Sequence, residues 1–127
     1  MIRVAVADDH AEMRAALRLL LSFSEDVEVV CAASDGQEAV DCAKQLQPDI
    51  LVMDIQMPVL NGLEATKQIV SLALTTRVIL ISIYRGNYYI RQARLAGAKA
   101  FLPKDDIALS LSQAVKTVYR GEELFVE

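Results

Sequence analysis

Long apolar runs, basic blocks, internal linkers and clustered cysteines are all missing from this sequence of 127 residues, and each absence closes off a class of protein. Although 54% of the residues are hydrophobic, no run approaches the ~20 residues needed to cross a bilayer. Met1 leads straight into a short strand-like run ending in two acids, which does not read as a secretory signal. The expected compartment is the cytosol. Acids outnumber bases, giving a net charge of −4 and a pI near 5.0, so the chain alone lacks the basic patch through which proteins hold nucleic-acid phosphates. Its two cysteines, Cys31 and Cys42, are too few for a disulfide framework and lack metal-ligand spacing. Both are expected as small side chains in or near the core, Cys31 at the end of an apolar strand and Cys42 in a helix beside Ala39 and Ala43. With no repeat or low-complexity tract, the length suits a single domain that buries roughly two-thirds of its unfolded surface. Its expected extent is 1–120, with 121–127 as a tail or the start of a linker.

What the sequence does have is two alternating hydrophobic patterns. Short apolar runs rich in β-branched residues occur at Ile2–Ala7, Val27–Ala32, Ile50–Met53, Val78–Ile81 and Ala100–Leu102. Continuous apolar character of this kind marks strands covered on both faces. Between the runs, apolar residues recur with helical period: Met13, Ala16, Leu17 and Leu20; Ala39, Ala43 and Leu46; Ala65, Ile69 and Leu72; Ile90, Ala93 and Gly97; Leu111, Ala114, Val115 and Val118. Ser34 with Gln37, and Asn61 with Glu64, have capping-box spacing. Gly97 and Gly121 follow helical segments, where a left-handed residue is often required. Pro103 suits a strand terminus. The fold class is therefore α/β: a (βα)5 doubly wound, parallel five-stranded sheet in the flavodoxin-like order 2-1-3-4-5. Ligands of such sheets collect beyond the carboxyl ends of the strands.

That edge carries an unusual set of groups. The first run ends in Asp8-Asp9, the third in Asp54, the fourth in Ser82, and the fifth is followed by Lys104. Each has a structural explanation by itself, as a helix cap, a turn residue, a strand-end hydroxyl or a solvated lysine. Their convergence from four strands on one edge is not explained that way. Three carboxylates brought together repel unless protons or a cation intervene, and Mg2+ suits such oxygen donors. A carboxylate can attack phosphorus to give an aspartyl-phosphate, and such transfer is catalysed chiefly by positioning and by neutralising the equatorial oxygens. A metal ion, Lys104 and the Ser82 hydroxyl would cover one oxygen each. His10, the only histidine, directly follows the acidic pair at a helix start and is expected to be solvated or to stand behind the acids rather than to carry phosphate or metal. Tyr84, Tyr88 and Tyr89 cluster locally, and Arg85, Arg91 and Arg94 form a basic rim whose default reading is a solvated face. Leu124-Phe125-Val126 is expected either to pack on the last helix or to begin a linker.

The sequence resembles a bacterial two-component response-regulator receiver domain over essentially its whole length. The carrying residues are Asp8-Asp9-His10 with Arg14, Leu17 and Arg18; Pro48 through Asp54; Met57-Pro58 and Asn61-Gly62; Ser82; Ala96-Gly97-Ala98; and Phe101-Leu102-Pro103-Lys104. The Asp-Asp-His start and the Lys-Asp after the fifth run are similar to receivers that precede a DNA-binding helix-turn-helix domain of the LuxR/NarL type. The resemblance implies that Asp54 is the phosphoacceptor, supplied by a sensor histidine kinase or phosphotransfer protein. It implies that Asp9 and Asp54 bind Mg2+ directly, Asp8 through water, and the Gln56 carbonyl as a further ligand. Ser82 and Phe101 would be the switch residues, reshaping the surface of the fourth helix, fifth strand and fifth helix to control an output such as transcription. Dimerisation on phosphorylation is likewise implied, and the similar receivers continue into a C-terminal DNA-binding domain, so both a fragment of such a protein and a stand-alone receiver stay open. Departures from the family pattern are Asp105 after the lysine, Pro103 before it, and the aromatic loop Tyr84–Tyr89.

Three other protein classes share parts of this pattern. A flavin carrier would need a hydroxyl- and glycine-rich phosphate cradle where Asp8-Asp9 stand. A phosphohydrolase would need a second acid two residues after its nucleophile, where this chain has Gln56. The chain is accordingly not expected to be an enzyme beyond self-phosphotransfer and slow autodephosphorylation. A receiver-like interaction module regulated without phosphorylation stays open.

Overall fold

The computed structural model describes residues 1–72 and 75–127. Its strands are β1 (Ile2–Ala7), β2 (Val27–Ala33), β3 (Ile50–Asp54), β4 (Arg77–Ser82), β5 (Ala100–Pro103) and β6 (Leu124–Phe125). Its helices are α1 (Ala11–Ser22), α2 (Gly36–Leu46), α3 (Gly62–Ser71), α4 (Asn87–Ala96) and α5 (Ile107–Tyr119), with a 3₁₀ turn over Lys104–Asp106. The sheet is parallel throughout, in the order β2-β1-β3-β4-β5-β6. The expected order 2-1-3-4-5 is observed. The sixth strand is a difference: the tail pairs with β5 instead of packing on a helix alone. Among the described residues no helix is long and apolar enough to cross a membrane.

The central strands read as unbroken apolar runs because both their faces are covered, and period-two alternation sorts their side chains. Val4, Val6, Ile50, Val52, Ile79, Ile81, Ala100 and Leu102 face one core, shared with Leu17 and Leu21 of α1 and with Leu111, Val115 and Val118 of α5. Ala5, Ala7, Leu51, Met53, Val78, Leu80 and Phe101 face the other, shared with α2, α3 and α4. Strand β2 departs from the expectation of two covered faces: as an edge strand it is mostly half-buried. Cys31 and Cys42 pack in or against the second core, as expected, but they are also joined to each other as a disulfide between β2 and α2.

Helix starts follow the side-chain chemistry with one correction. Asn61 accepts the Glu64 N–H at 2.9 Å, as its spacing implied. At α2 the cap is Asp35, not Ser34, and it accepts the Glu38 N–H at 2.8 Å. Ser34 instead donates its N–H and hydroxyl to the Glu38 carboxylate, at 3.0 and 2.9 Å. The capping box is thus shifted one residue along, Asp being an equally good cap. Gly97 ends α4 at φ +101°, the left-handed conformation a glycine tolerates.

The contact that matters most for the site is made by Gly62. Its N–H donates to the Ile55 carbonyl at 2.7 Å, drawing the start of α3 onto the end of β3. A Cβ there would lie 2.2 Å from the Asp54 carbonyl oxygen and 2.9 Å from the Ile55 Cα. Both obstacles are backbone, so no rotamer relieves them. Gly62→Ala should therefore destabilise the fold by about 3 kcal/mol, at the upper end of overpacking costs, read as a lower urea midpoint with an unchanged m-value.

Candidate functional site

Register brings the functional groups together. Ala7 of β1 is level with Met53 of β3, so Asp8 emerges beside Asp54. Asp54 is level with Ile81, which sets Ser82 one residue further on, and Ser82 is level with Pro103, which sets Lys104 one beyond that. The staircase of parallel strands thus delivers two acids, a hydroxyl and an amine to one edge.

At that edge the Lys104 ammonium lies 2.9 Å from Asp8 Oδ2 and 3.1 Å from Asp54 Oδ2. Asp8 is wholly enclosed and Asp54 is only 3% exposed. Buried charges persist only when paired, and one lysine here serves two carboxylates. Burial raises the Asp54 pKa above its ordinary 3.8, a rise opposed by the hydrogen bond and charge of Lys104 and reinforced by the charge of Asp8. Burial alone would lower the Lys104 pKa, but the two carboxylates outweigh it and raise it above 10.5. Backbone donors finish the arrangement. His10 N–H reaches Asp8 Oδ1 at 2.9 Å, and Gln56 N–H reaches Asp54 Oδ1 at 3.3 Å. Among the described residues Asp8 Oδ2 accepts no hydrogen bond of good geometry, meeting Lys104 only as an ion pair.

The remaining groups surround this centre. Ser82 is fully enclosed, and its hydroxyl oxygen accepts the Tyr84 N–H at 2.9 Å, which leaves its own proton to be donated. Asp9 is partly exposed, with its carboxylate 3.1 Å from His10 Nδ1. One donor atom from each of Asp8, Asp9 and His10 falls within a 4.8 Å cluster that could hold a metal ion. An acidic pocket with an under-coordinated buried carboxylate oxygen fits a hard divalent cation. Between β3 and α3, Leu60 N–H donates to the Pro58 carbonyl at 2.7 Å, which forces Val59 to φ +69°. A β-branched residue in that conformation is strained, and strain of this sort gathers beside functional centres.

The response regulator receiver domain profile matches residues 4–116. The chain belongs to that family. It is 40% identical over 121 residues to the transcriptional regulatory protein LnrK of Bacillus subtilis, covering 95% of this chain and 55% of that protein. It is 38% identical over 122 residues to the oxygen regulatory protein NreC of Staphylococcus carnosus, covering 95% and 56%. Among solved structures, the signal receiver domain of the response regulator NarL from Mycobacterium tuberculosis superposes with a TM-score of 0.92 at 36% identity, covering 95% of this chain and 98% of that one. The receiver spans about half the length of the curated relatives it matches.

The structure brings Asp8, Asp54 and Lys104 into direct contact, with Ser82 enclosed on the adjacent strand and the Gln56 backbone against Asp54. The ring of Phe101, a switch residue by resemblance, is fully enclosed in this receiver. His10 is solvated as expected, its side chain 74% exposed, and its Nδ1 lies 3.4 Å from Asp8 and 3.1 Å from Asp9. Two arginines do more than sequence reasoning allowed. Arg14 donates to the Asp8 carbonyl at 2.7 Å, steadying the turn that carries the acids. Arg85 grips Asp105 at 2.9 Å and Asp106 at 3.4 Å, tying the loop after Ser82 to the turn that begins with Lys104. The only sequence cue to the second pairing was opposite charge in two loops, with nothing to join them. Tyr84 stacks on Tyr89, and Tyr88 meets Tyr89 edge to face; the expected loop Tyr84–Tyr89 ends at Gly86, and the last two tyrosines belong to the first turn of α4.

The raised pKa of Asp54 has a thermodynamic sign. A carboxyl whose pKa is higher folded than unfolded holds its proton more tightly when folded, so ionisation costs stability at neutral pH. That cost disappears as pH falls through the raised range to 3.8. In metal-free buffer Asp54→Asn should therefore raise the urea midpoint at pH 7, since Asp8 still pairs with Lys104. The difference from wild type should shrink as pH is lowered; a gap that widened would reverse the assigned sign.

Proposed function

We propose that this receiver accepts a phosphoryl group on Asp54 from a histidine kinase or phosphotransfer protein, and that acceptance switches the surface formed by α4, β5 and α5. The observation that carries the reading is the half-buried Lys104 ammonium held between the buried carboxylates of Asp8 and Asp54, at 2.9 and 3.1 Å, with the Ser82 hydroxyl enclosed on the next strand. An Asp54 carboxylate oxygen attacks phosphorus, and the donor's P–N bond breaks with its electron pair passing to the departing imidazole. Lys104 then exchanges a carboxylate oxygen for a phosphoryl oxygen, and Ser82 donates its free proton to another. Asp8, Asp9, Asp54 and the Gln56 carbonyl would hold Mg2+. When bound, that ion supplies positive charge to the transferring oxygens. Chemistry of the protein's own stops at self-phosphotransfer and slow autodephosphorylation, because Gln56 cannot act as an acid toward external substrates. Ser82 and Phe101 move together as the switch, a two-state element biased by local charge.

The relatives are named as transcriptional or oxygen regulatory proteins, which supports a cytoplasmic role with a transcriptional output through a further DNA-binding domain of the LuxR/NarL type. Dimerisation on phosphorylation belongs to the same reading, as does a receiver domain over 1–120.

Incubation with acetyl phosphate and Mg2+, followed by intact-protein mass, tests the chemistry without a cognate kinase. Wild type should gain one phosphoryl group and Asp54→Asn none. Absence of any gain, from acetyl phosphate and from a phosphorylated kinase alike, would favour an interaction module that works without phosphate. Asp9→Asn removes one anionic metal ligand, so it should weaken Mg2+ binding by about tenfold, a typical scale for loss of a metal-site group, and slow phosphorylation accordingly. Unchanged Mg2+ affinity in a direct titration would mean that Asp9 is not a ligand.

A further inference from the structure

We infer that the segment Glu122–Glu127 is a strand latch on the β5 edge, docked while Lys104 bridges Asp8 and Asp54 and loosened when Asp54 carries a phosphoryl group; this rests on the receiver reading above. Docking is specific. Leu124 N–H donates to the Lys99 carbonyl and Val126 N–H to the Phe101 carbonyl, each at 3.0 Å. Side chains alternate as a strand demands: Phe125 packs against the core that contains Phe101, whereas Leu124 and Val126 pack against the opposite core. Two arginines clasp the segment from outside. The Arg94 guanidinium lies 4.0 Å above the Phe125 ring and 3.7 Å from Glu123. Arg85, already bound to Asp105 and Asp106, also donates to the Glu127 carbonyl at 2.8 Å.

The Arg85 and Phe101 attachments are each a short chain step from a group that handles the phosphoryl. Asp105 follows Lys104, Arg85 comes three residues after Ser82, and Phe101 is the aromatic switch residue, level in register with Phe125. When Lys104 leaves the carboxylates for a phosphoryl oxygen, the 3₁₀ turn that holds Asp105 and Asp106 shifts, and Arg85 loses the geometry in which it reaches both these acids and the tail. Reorientation of Phe101 disturbs the surface on which Phe125 rests. A two-residue strand with exposed ion pairs is weakly held, so a small displacement is enough to free it. Coupling of this kind is reciprocal: what releases the tail must favour the phosphorylated site.

Hydrogen exchange followed by NMR on the intact chain, with and without fluoroberyllate and Mg2+, tests the latch. The Leu124 and Val126 amides should exchange at least about five-fold faster in the loaded protein, the lower end of ordinary coupling between sites. Phe125→Ala, which leaves every charge in place, should speed the same exchange without fluoroberyllate and tighten fluoroberyllate binding by a matching factor. Loading, seen in the shifts of residues around Asp54, with tail exchange unchanged or slower would overturn the latch and leave the receiver reading standing. Failure to load with either fluoroberyllate or acetyl phosphate would remove the receiver reading and the latch together.

Discussion

One ammonium group shared by two buried carboxylates is the constraint around which this protein is arranged. Asp8, Asp54 and Lys104 come from the ends of β1, β3 and β5, and enclosure forbids any of them to stand alone. The cluster carries one more negative than positive charge, so it is poised to take a cation. It is equally poised to hand its lysine to a stronger anion. A solvated version of the same cluster would be screened and nearly indifferent to an added phosphoryl group; burial is what makes the added charge consequential.

The fold supplies that burial by devices that act at a distance from the charges. Two apolar layers, sorted by strand alternation, clamp the sheet on both faces and leave only its carboxyl edge polar. Gly62 lets α3 approach the end of β3 closely enough to bond the Ile55 carbonyl just after Asp54, and Arg14 binds the Asp8 carbonyl from α1. Strain at Val59 is borne in the loop between them, where the chain must turn sharply to bring Gly62 home. Positions with no charge and no reactivity therefore control where the reactive groups sit.

Much of this was legible in the sequence because parallel, doubly covered strands write themselves as unbroken apolar runs, and the one or two residues after each run fall on the functional edge. Asp8, Asp54, Ser82 and Lys104 could be selected that way before any contact was known. What could not be read depended on pairings between distant segments. Two residues, Leu124 and Phe125, are too short a strand to show periodicity, so β6 looked like a tail. Asp35 and Ser34 are comparably good caps, and geometry rather than composition decided between them. Arg85 and Arg94 looked like a solvated rim because their partners lie 20 or more residues away. The disulfide between Cys31 and Cys42 joins two different elements, and nothing local to either residue announced the other.

The arginine contacts and β6 share a location, and the location has a consequence. Arg85, Arg94, Asp105, Asp106 and β6 all lie on the β4–α4–β5 side of the sheet, next to Ser82, Phe101 and Lys104. The edge toward β2, by contrast, is held by apolar packing and backbone pairing. A phosphoryl group at Asp54 sits between a stiff side and a side fastened by exposed ion pairs and a two-residue strand. Exposed pairs contribute little each, whereas packed cores resist small displacements and transmit them. A perturbation introduced between the two must be absorbed where the fastening is weakest. Direction in the response thus arises from unequal stiffness around the site and needs no dedicated pathway of residues leading away from it.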